Sequence, residues 1–265
     1  TLDELAAWLF ESLKLPALKP KGNTMEADRL QLEGVSRRGP MGRLDKKRTL
    51  IETIKSGQLS EETVRYRDVR QRQRPVAQAV VAFVRDISAS MDEEKRYWVR
   101  TAGFWLLQWV KRAYPRTECV FVVHDASAQE VDEHDFFHIE RAGGTVISSG
   151  LGLCEKILAD RYPAKSWNRY VACFSDGDNF PHDDQPARET ALRLAAHCER
   201  FAYGETHPGT IQSNFMRALS GPSAPPSVRA ALITKRDDIS GWLQAVFGTD
   251  EHASGPVPAR TGEGG

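Results

Sequence analysis

Residues 79–90, Ala79–Val80–Val81–Ala82–Phe83–Val84–Arg85–Asp86–Ile87–Ser88–Ala89–Ser90, carry six apolar residues into three evenly spaced oxygen-bearing side chains. An unbroken apolar run of this length predicts a strand buried on both faces, as in parallel sheets covered by helices. Downstream, Trp98, Ala102, Trp105, Trp109 and Ala113 recur at helical spacing. Asp92, Glu93 and Glu94 precede that stripe and Lys111 and Arg112 end it, which matches the helix dipole. Glu118–Val123 reads as a second strand, with Ala128–Val131 returning as a hairpin. A helix carrying Leu151, Cys154, Ile157 and Leu158 follows Gly143–Gly144–Thr145 and breaks at Pro163. Arg169–Phe174 is another buried strand. The next helix has Pro186 in its first position and runs to about Glu199. Phe201–Gly204 and Ala230–Thr234 read as the last strands. Ile239, Trp242, Leu243, Val246 and Phe247 form a final helix that Gly248 stops. Strands alternating with helices predict a Rossmann-like α/β fold with a mostly parallel central sheet flanked by helices. In such sheets ligands bind beyond the carboxyl ends of the strands.

The remaining sequence bounds the function. The 265 residues include 36 basic and 36 acidic side chains, and this balance argues against a chain that binds nucleic acid along its whole surface. No apolar run approaches the roughly 20 residues of a membrane helix, and no secretory signal opens the chain. Cys119, Cys154, Cys173 and Cys198 sit in apolar runs without a CxxC pair, so they read as buried free thiols in a reducing, cytoplasmic setting. Three segments are expected. Residues 1–75 form a helical and basic arm, opened by an amphipathic helix with Leu2, Leu5, Leu9 and Leu13. Between Arg37 and Arg74 it holds twelve basic residues against five acidic ones, with Tyr66 as its single aromatic. That composition suits a solvated or partner-facing arm better than a stacking platform for nucleic acid. Residues 76–248 are the α/β domain, and 249–265 are a Gly- and Pro-rich tail predicted to be disordered.

Three polar clusters follow predicted strands or open a helix: Asp86–x–Ser88–x–Ser90, Gly143–Gly144–Thr145 and Ser175–Asp176–Gly177–Asp178–Asn179. Every second side chain of an extended segment points the same way, so Asp86, Ser88 and Ser90 can face one ion. Together with Thr145 and Asp176 they make a hard, oxygen-only donor set, which suits Mg²⁺ or Mn²⁺ rather than zinc. Each cluster alone also has an ordinary reading. Asp86 or Ser90 can cap the next helix, Gly–Gly–Thr can be a turn with a cap, and Asp–Gly is a common turn dipeptide. Asp178, Asn179, His124 and Glu205 are candidates for a supporting shell around the ion.

The combination resembles the metal-ion-dependent adhesion site of von Willebrand factor A domains. It is more closely similar to the YeaH/YhbH family of bacterial stress- and sporulation-associated proteins. The resembling stretches are DISASM (86–91), EVDEHDFF (130–137), GGTVISS (143–149), DRYP (160–163), SDGDN (175–179) and FAYGE (201–205). The chain departs from the family pattern at His124–Asp125, where two histidines are usual. The resemblance implies a non-catalytic, metal-dependent protein-interaction module. In it Ser88, Ser90 and Thr145 bind the ion directly, Asp86 and Asp176 bind it directly or through water, and a partner carboxylate completes the site. It also implies an AAA+-like serine protein kinase and a SpoVR-like protein as candidate partners. Two alternatives stand beside this. One is a Mg²⁺-dependent hydrolase or phosphatase with Asp86 as nucleophile, which the Ser at position 88 disfavours by withholding an acid–base partner. The other is nucleic-acid binding through the basic arm. No P-loop, GxSxG or HExxH motif occurs.

Overall fold

The computed structural model describes residues 10–21, 25–27, 34–68, 73–114, 116–140, 143–209 and 211–248. Contacts divide the chain into two units, residues 1–22 with 77–265 and residues 23–76.

The larger unit holds a six-stranded sheet. Its elements are β1 (Ala79–Asp86), α1 (Glu93–Ala113), β2 (Thr117–His124), β3 (Ala128–Val131), α2 (Glu133–His138), α3 (Ile147–Arg161), β4 (Asn168–Ser175), α4 (Asp184–Ala196), β5 (Arg200–Thr206), α5 (Asn214–Ser220), β6 (Val228–Ile233) and α6 (Asp238–Phe247). The strand order is β3-β2-β1-β4-β5-β6, parallel except for the antiparallel edge strand β3. This is a Rossmann-like doubly wound fold, consistent with the von Willebrand factor A type. The order reverses between β1 and β4, so the crevice beyond their carboxyl ends is the topological switch point.

β1 and β4 are buried along their whole length, as an apolar run without alternation requires. Val81 and Phe83 face a core with α1 and α6, built on Trp98, Leu106, Trp109, Trp242 and Phe247. Val80, Ala82 and Val84 face the other core, with Leu151, Cys154 and Leu158 of α3, Ala191 of α4 and Phe215 of α5. Both layers fix the ends of β1 and β4, and with them the crevice. Gly204 in β5 lets Trp242 approach: a Cβ there would lie 2.9 Å from Trp242 Nε1, which donates to the Tyr203 carbonyl at 3.1 Å.

Several boundaries differ from those the sequence suggests. Pro186 is the third residue of α4 rather than the first, still within the turn where a missing N–H costs no helical bond. That helix ends at Ala196, because Arg200 already begins β5. The last strand runs Val228–Ile233 instead of Ala230–Thr234. The short helices α2 and α5 are additional.

The N-terminal segment is also divided differently. Residues 1–9 lie outside the described residues, so of the expected Leu-rich helix only its end is seen. Leu13 forms an antiparallel bridge with Gly248, and Leu13 and Leu15 are buried in the main core. The segment continues as an extended strap. Leu15 N–H donates to Tyr114 Oη, Tyr170 Oη donates to the Pro16 carbonyl, and Asn168 Nδ2 donates to the Lys19 carbonyl. These partners lie at or near the amino ends of the strands, opposite the crevice. Residues 10–21 therefore belong to the α/β unit, and the arm expected over 1–75 is confined to 23–76.

Within that second unit, Val35–Ser36 pairs with Tyr66–Arg67 and Met25–Ala27 with Gln73–Pro75, both antiparallel. A helix, Lys46–Ser56, starts on the Asp45 side chain and stops at the left-handed Gly57. It turns Thr49 inward and leaves Leu50 and Ile54 exposed beside exposed Lys46, Lys47 and Lys55. The tail 249–265 lies outside the described residues. Among the described residues no helix is long and apolar enough to cross a membrane.

Candidate metal centre

Asp86 is the last residue of β1 and is almost completely buried. Its Oδ1 accepts from Ser88 N–H at 2.8 Å and its Oδ2 from Ser175 Oγ at 2.7 Å. The first bond folds the loop after β1 into a tight turn, which brings Ser88 Oγ within 3.1 Å of Ser90 Oγ. The second ties the end of β4 to the end of β1. Burial pushes the Asp86 carboxyl above the ordinary aspartate range, against the pull of His124 and of these hydrogen bonds.

Asp176 follows β4 and is also buried. Its Oδ1 accepts from Asp178 N–H at 3.1 Å, and its Oδ2 takes the Lys95 ammonium at 2.8 Å. Gly177 makes this turn possible. Its φ is +74°, and a Cβ there would lie 2.6 Å from Ser213 Cβ and 2.7 Å from Glu205 Oε2.

The loop bearing Thr145 touches both other clusters. Ala89 N–H donates to the Gly143 carbonyl at 3.0 Å, and Phe180 N–H donates to the Thr145 carbonyl at 3.3 Å. The two glycines permit this closeness. A Cβ on Gly143 would meet Asp125 Oδ2 at 2.8 Å, and one on Gly144 would meet Phe180 Cζ at 2.5 Å. Thus loops 86–90, 143–145 and 175–180, which carry Asp86, Ser88, Ser90, Thr145 and Asp176, contact one another at the switch point.

The capping alternatives are tested by the same hydrogen bonds. α1 is capped by Asp92, which accepts from Lys95 N–H at 2.9 Å, and not by Asp86 or Ser90. The first amides of α3 are served by Asn179 Oδ1, from Ile147 N–H at 3.2 Å, and by Asp183 Oδ2, from Ser148 N–H at 2.9 Å. Thr145 is therefore free of the capping role, and its hydroxyl has no hydrogen-bond partner among the described residues. Asp176 does serve its turn, through the Asp178 N–H.

The four supporting candidates separate. Asn179 links α3 to α4, donating to Asp184 Oδ1 at 3.1 Å. Asp178 is exposed at the mouth of a cleft of about 290 Å³ lined also by Lys95, Asp176, Glu205 and His207. Glu205 is buried and occupied: it accepts from Tyr203 Oη, Ser213 N–H and Ser213 Oγ, and so anchors the loop after β5 beneath Gly177. His124 pairs in register with Asp86, is fully buried, and has neither ring nitrogen hydrogen-bonded. Gly150 makes room for it, since a Cβ there would lie 2.4 Å from His124 Cδ2.

The sequence assigns no role to three residues of the centre. Ser175 and Lys95 hold the two carboxylates, and Asp183 holds the start of α3 through both Ser148 N–H and Ser148 Oγ. Ser175 stands beside a predicted ligand and Asp183 eight residues further on, but Lys95 is 81 residues from Asp176. Among the described carboxylates, imidazoles and thiols, three come close enough together to share an ion only at the exposed Asp132, His134 and Asp135 at the start of α2.

Residues 58–250 match the family described as "Protein of unknown function (DUF444)". The chain belongs to this family. Curated relatives carry the name UPF0229 protein, and the YeaH/YhbH-type family suggested by the motifs is this one. A UPF0229 protein of Ruminiclostridium cellulolyticum is 32% identical over 277 residues, covering 93% of this chain and 69% of that protein. A UPF0229 protein of Clostridium botulinum (strain Alaska E43 / Type E3) is 33% identical over 231 residues, covering 79% and 59%. The chain thus spans 59–69% of the length of these two relatives. Among solved structures, the pilus adhesin SpaC from Lactobacillus rhamnosus GG, in its open conformation, superposes with a TM-score of 0.50. The match has 12% identity over 64% of this chain and 30% of that one, and the likeness is one of fold.

Proposed function

We propose that this family member is a metal-dependent protein-interaction module of the von Willebrand factor A type, without catalytic activity. The observation that carries the reading is the division of labour at the switch point. Asp92, Asn179 and Asp183 cap the helices, which leaves the Ser88, Ser90 and Thr145 hydroxyls out of capping, on contacting loops that also carry the two buried carboxylates. The donors fit a hard divalent ion, Mg²⁺ or Mn²⁺, because all five are oxygens and two are anionic. Asp86 fits it further, as a buried carboxylate with no Lys or Arg ion pair among the described residues. In this reading Ser88, Ser90 and Thr145 hold the ion directly and Asp86 and Asp176 hold it directly or through water. The bound ion supplies a fixed positive point to which a partner's carboxylate can attach. Such a contact is charge-assisted and directional, so it confers specificity as well as affinity.

The hydrolase alternative is disfavoured by the surroundings of Asp86. Its oxygens accept from Ser88 N–H and Ser175 Oγ, and Ser88 stands where an acid–base partner would be wanted, so Asp86 lacks the second acid or base a carboxylate nucleophile needs. Nucleic-acid binding by the basic arm rests on charge alone. The family resemblance offers an AAA+-like serine protein kinase and a SpoVR-like protein as partners in a bacterial stress or sporulation response, in the cytoplasm.

The test is a pull-down from a bacterial lysate with wild type, Thr145→Ala and Ser88→Ala, each with an unchanged circular dichroism spectrum. A protein retained in Mg²⁺ is expected to disappear in EDTA and with both variants. Retention unaffected by chelator and by mutation contradicts the reading.

A further inference from the structure

We propose that Lys95 is a built-in cation of the centre that opposes loading by a divalent ion and thereby couples loading to the arrival of an anionic ligand. The inference rests on the metal reading above. Lys95 Nζ lies 2.8 Å from Asp176 Oδ2 and 2.8 Å from the Ser90 carbonyl oxygen. Its side chain is 14% exposed and that of Asp176 is 1% exposed, so solvent screens the pair weakly. The base of the side chain is fixed as well, because Lys95 N–H is held by the Asp92 cap. The ammonium therefore stands among the groups that would hold the ion.

The consequence follows from counting charge. Asp86 and Asp176 bring two negative charges when ionised and Lys95 brings one positive charge. A divalent ion then leaves the loaded centre with a net charge of +1, where two carboxylates alone would leave it neutral. Lys95 repels the entering ion and competes for Asp176 Oδ2, which weakens loading of the free protein. The ammonium, like the bound ion, attracts a carboxylate into the open position, and the two binding events favour each other, as linkage requires. Glu205 and Asp178 add negative charge in the same cleft, and the neutral donors Tyr203 and Ser213 leave the Glu205 charge in place; both are present whether or not position 95 is charged, so replacing Lys95 isolates the effect of its own charge.

The experiment is isothermal titration of the whole chain with Mn²⁺, for wild type, Lys95→Met, Lys95→Gln and Lys95→Arg, with melts in EDTA to verify folding. Both neutral variants are expected to bind Mn²⁺ at least about tenfold more tightly, as expected for removing a unit charge near the ion in a partly solvated site. Lys95→Arg keeps the charge and stays close to wild type. Equal or weaker binding in the folded neutral variants overturns the proposal while leaving the metal site standing. Tightening in Lys95→Arg as well overturns it too, since charge would not be the cause. If no variant binds Mn²⁺, the metal reading fails and this proposal fails with it.

Discussion

Replacing Ser175 with alanine removes one hydroxyl that links the two central strands at the crevice. Ser175 is fully buried, so no water can take its place. Its Oγ donates to Asp86 Oδ2 at 2.7 Å and accepts from Gly177 N–H at 3.1 Å. A hydrogen bond to a charged acceptor contributes about 1.5–3 kcal/mol, and one between neutral groups about 0.5–1.5 kcal/mol. Losing both should cost about 2–4 kcal/mol, which in a chain of this size lowers the melting temperature by roughly 5–15 °C. Urea denaturation followed by far-ultraviolet circular dichroism measures it, with the slope of the transition confirming that the unfolded state is unchanged. A loss below about 0.5 kcal/mol at constant slope would show that the bond to Asp86 is not what holds β1 and β4 together at the site.

Two predictions concern the cores. Trp242→Ala should cost about 3–5 kcal/mol in the same denaturation, because the ring is buried against Phe174 with centroids 4.9 Å apart and its Nε1 is bonded to Tyr203; a neutral result would mean that α6 does not close its face of the sheet. The sequence suggests four buried thiols; Cys154 and Cys173 are buried, whereas Cys119 and Cys198 are half-buried, and all four should react slowly in the native state. Burial raises Cys119 to about 11 and Cys198 to about 12, and pushes the fully buried Cys154 and Cys173 up as well. The thiolate is the reactive form, so Ellman's reagent at pH 8 should label the native chain slowly and all four cysteines once urea is added. Fast labelling of Cys154 or Cys173 before denaturation contradicts their burial.

The elements readable from sequence are those whose physics is local. β1 and β4 are unbroken apolar runs because both faces are covered, and α1 and α6 show their stripes because each is at least ten residues long. The helices α2 and α5, at six and seven residues, are too short to display a period. The strap is instructive. Leu2, Leu5, Leu9 and Leu13 suggest a helix through residue 13, yet Leu13 and Leu15 are both buried in an extended segment that uses the alternation of a strand. At the centre, the spacing in Asp86–x–Ser88–x–Ser90 and the two glycines before Thr145 were visible because they are local requirements of turn and approach. Ser175–Asp86, Asp183–Ser148 and Lys95–Asp176 were not, because pairs 89, 35 and 81 residues apart meet only when the sheet is assembled. Glu205 depends on a distant pairing in the same way. Its place at a strand end near the same edge was visible, but its bonds to Ser213, eight residues later in sequence, were not.

The most direct test of the metal centre is the electron paramagnetic resonance of Mn²⁺ titrated into the purified chain, since bound Mn²⁺ loses the six-line signal of the free ion. The site predicts that wild type removes one Mn²⁺ per chain from the free pool and that added Mg²⁺ returns it. Asp86→Ala, with its helix caps untouched, should leave the free-ion signal intact. A wild-type chain that leaves the signal unchanged at millimolar protein, or an Asp86→Ala chain that removes as much as wild type, would contradict a metal centre at these five residues.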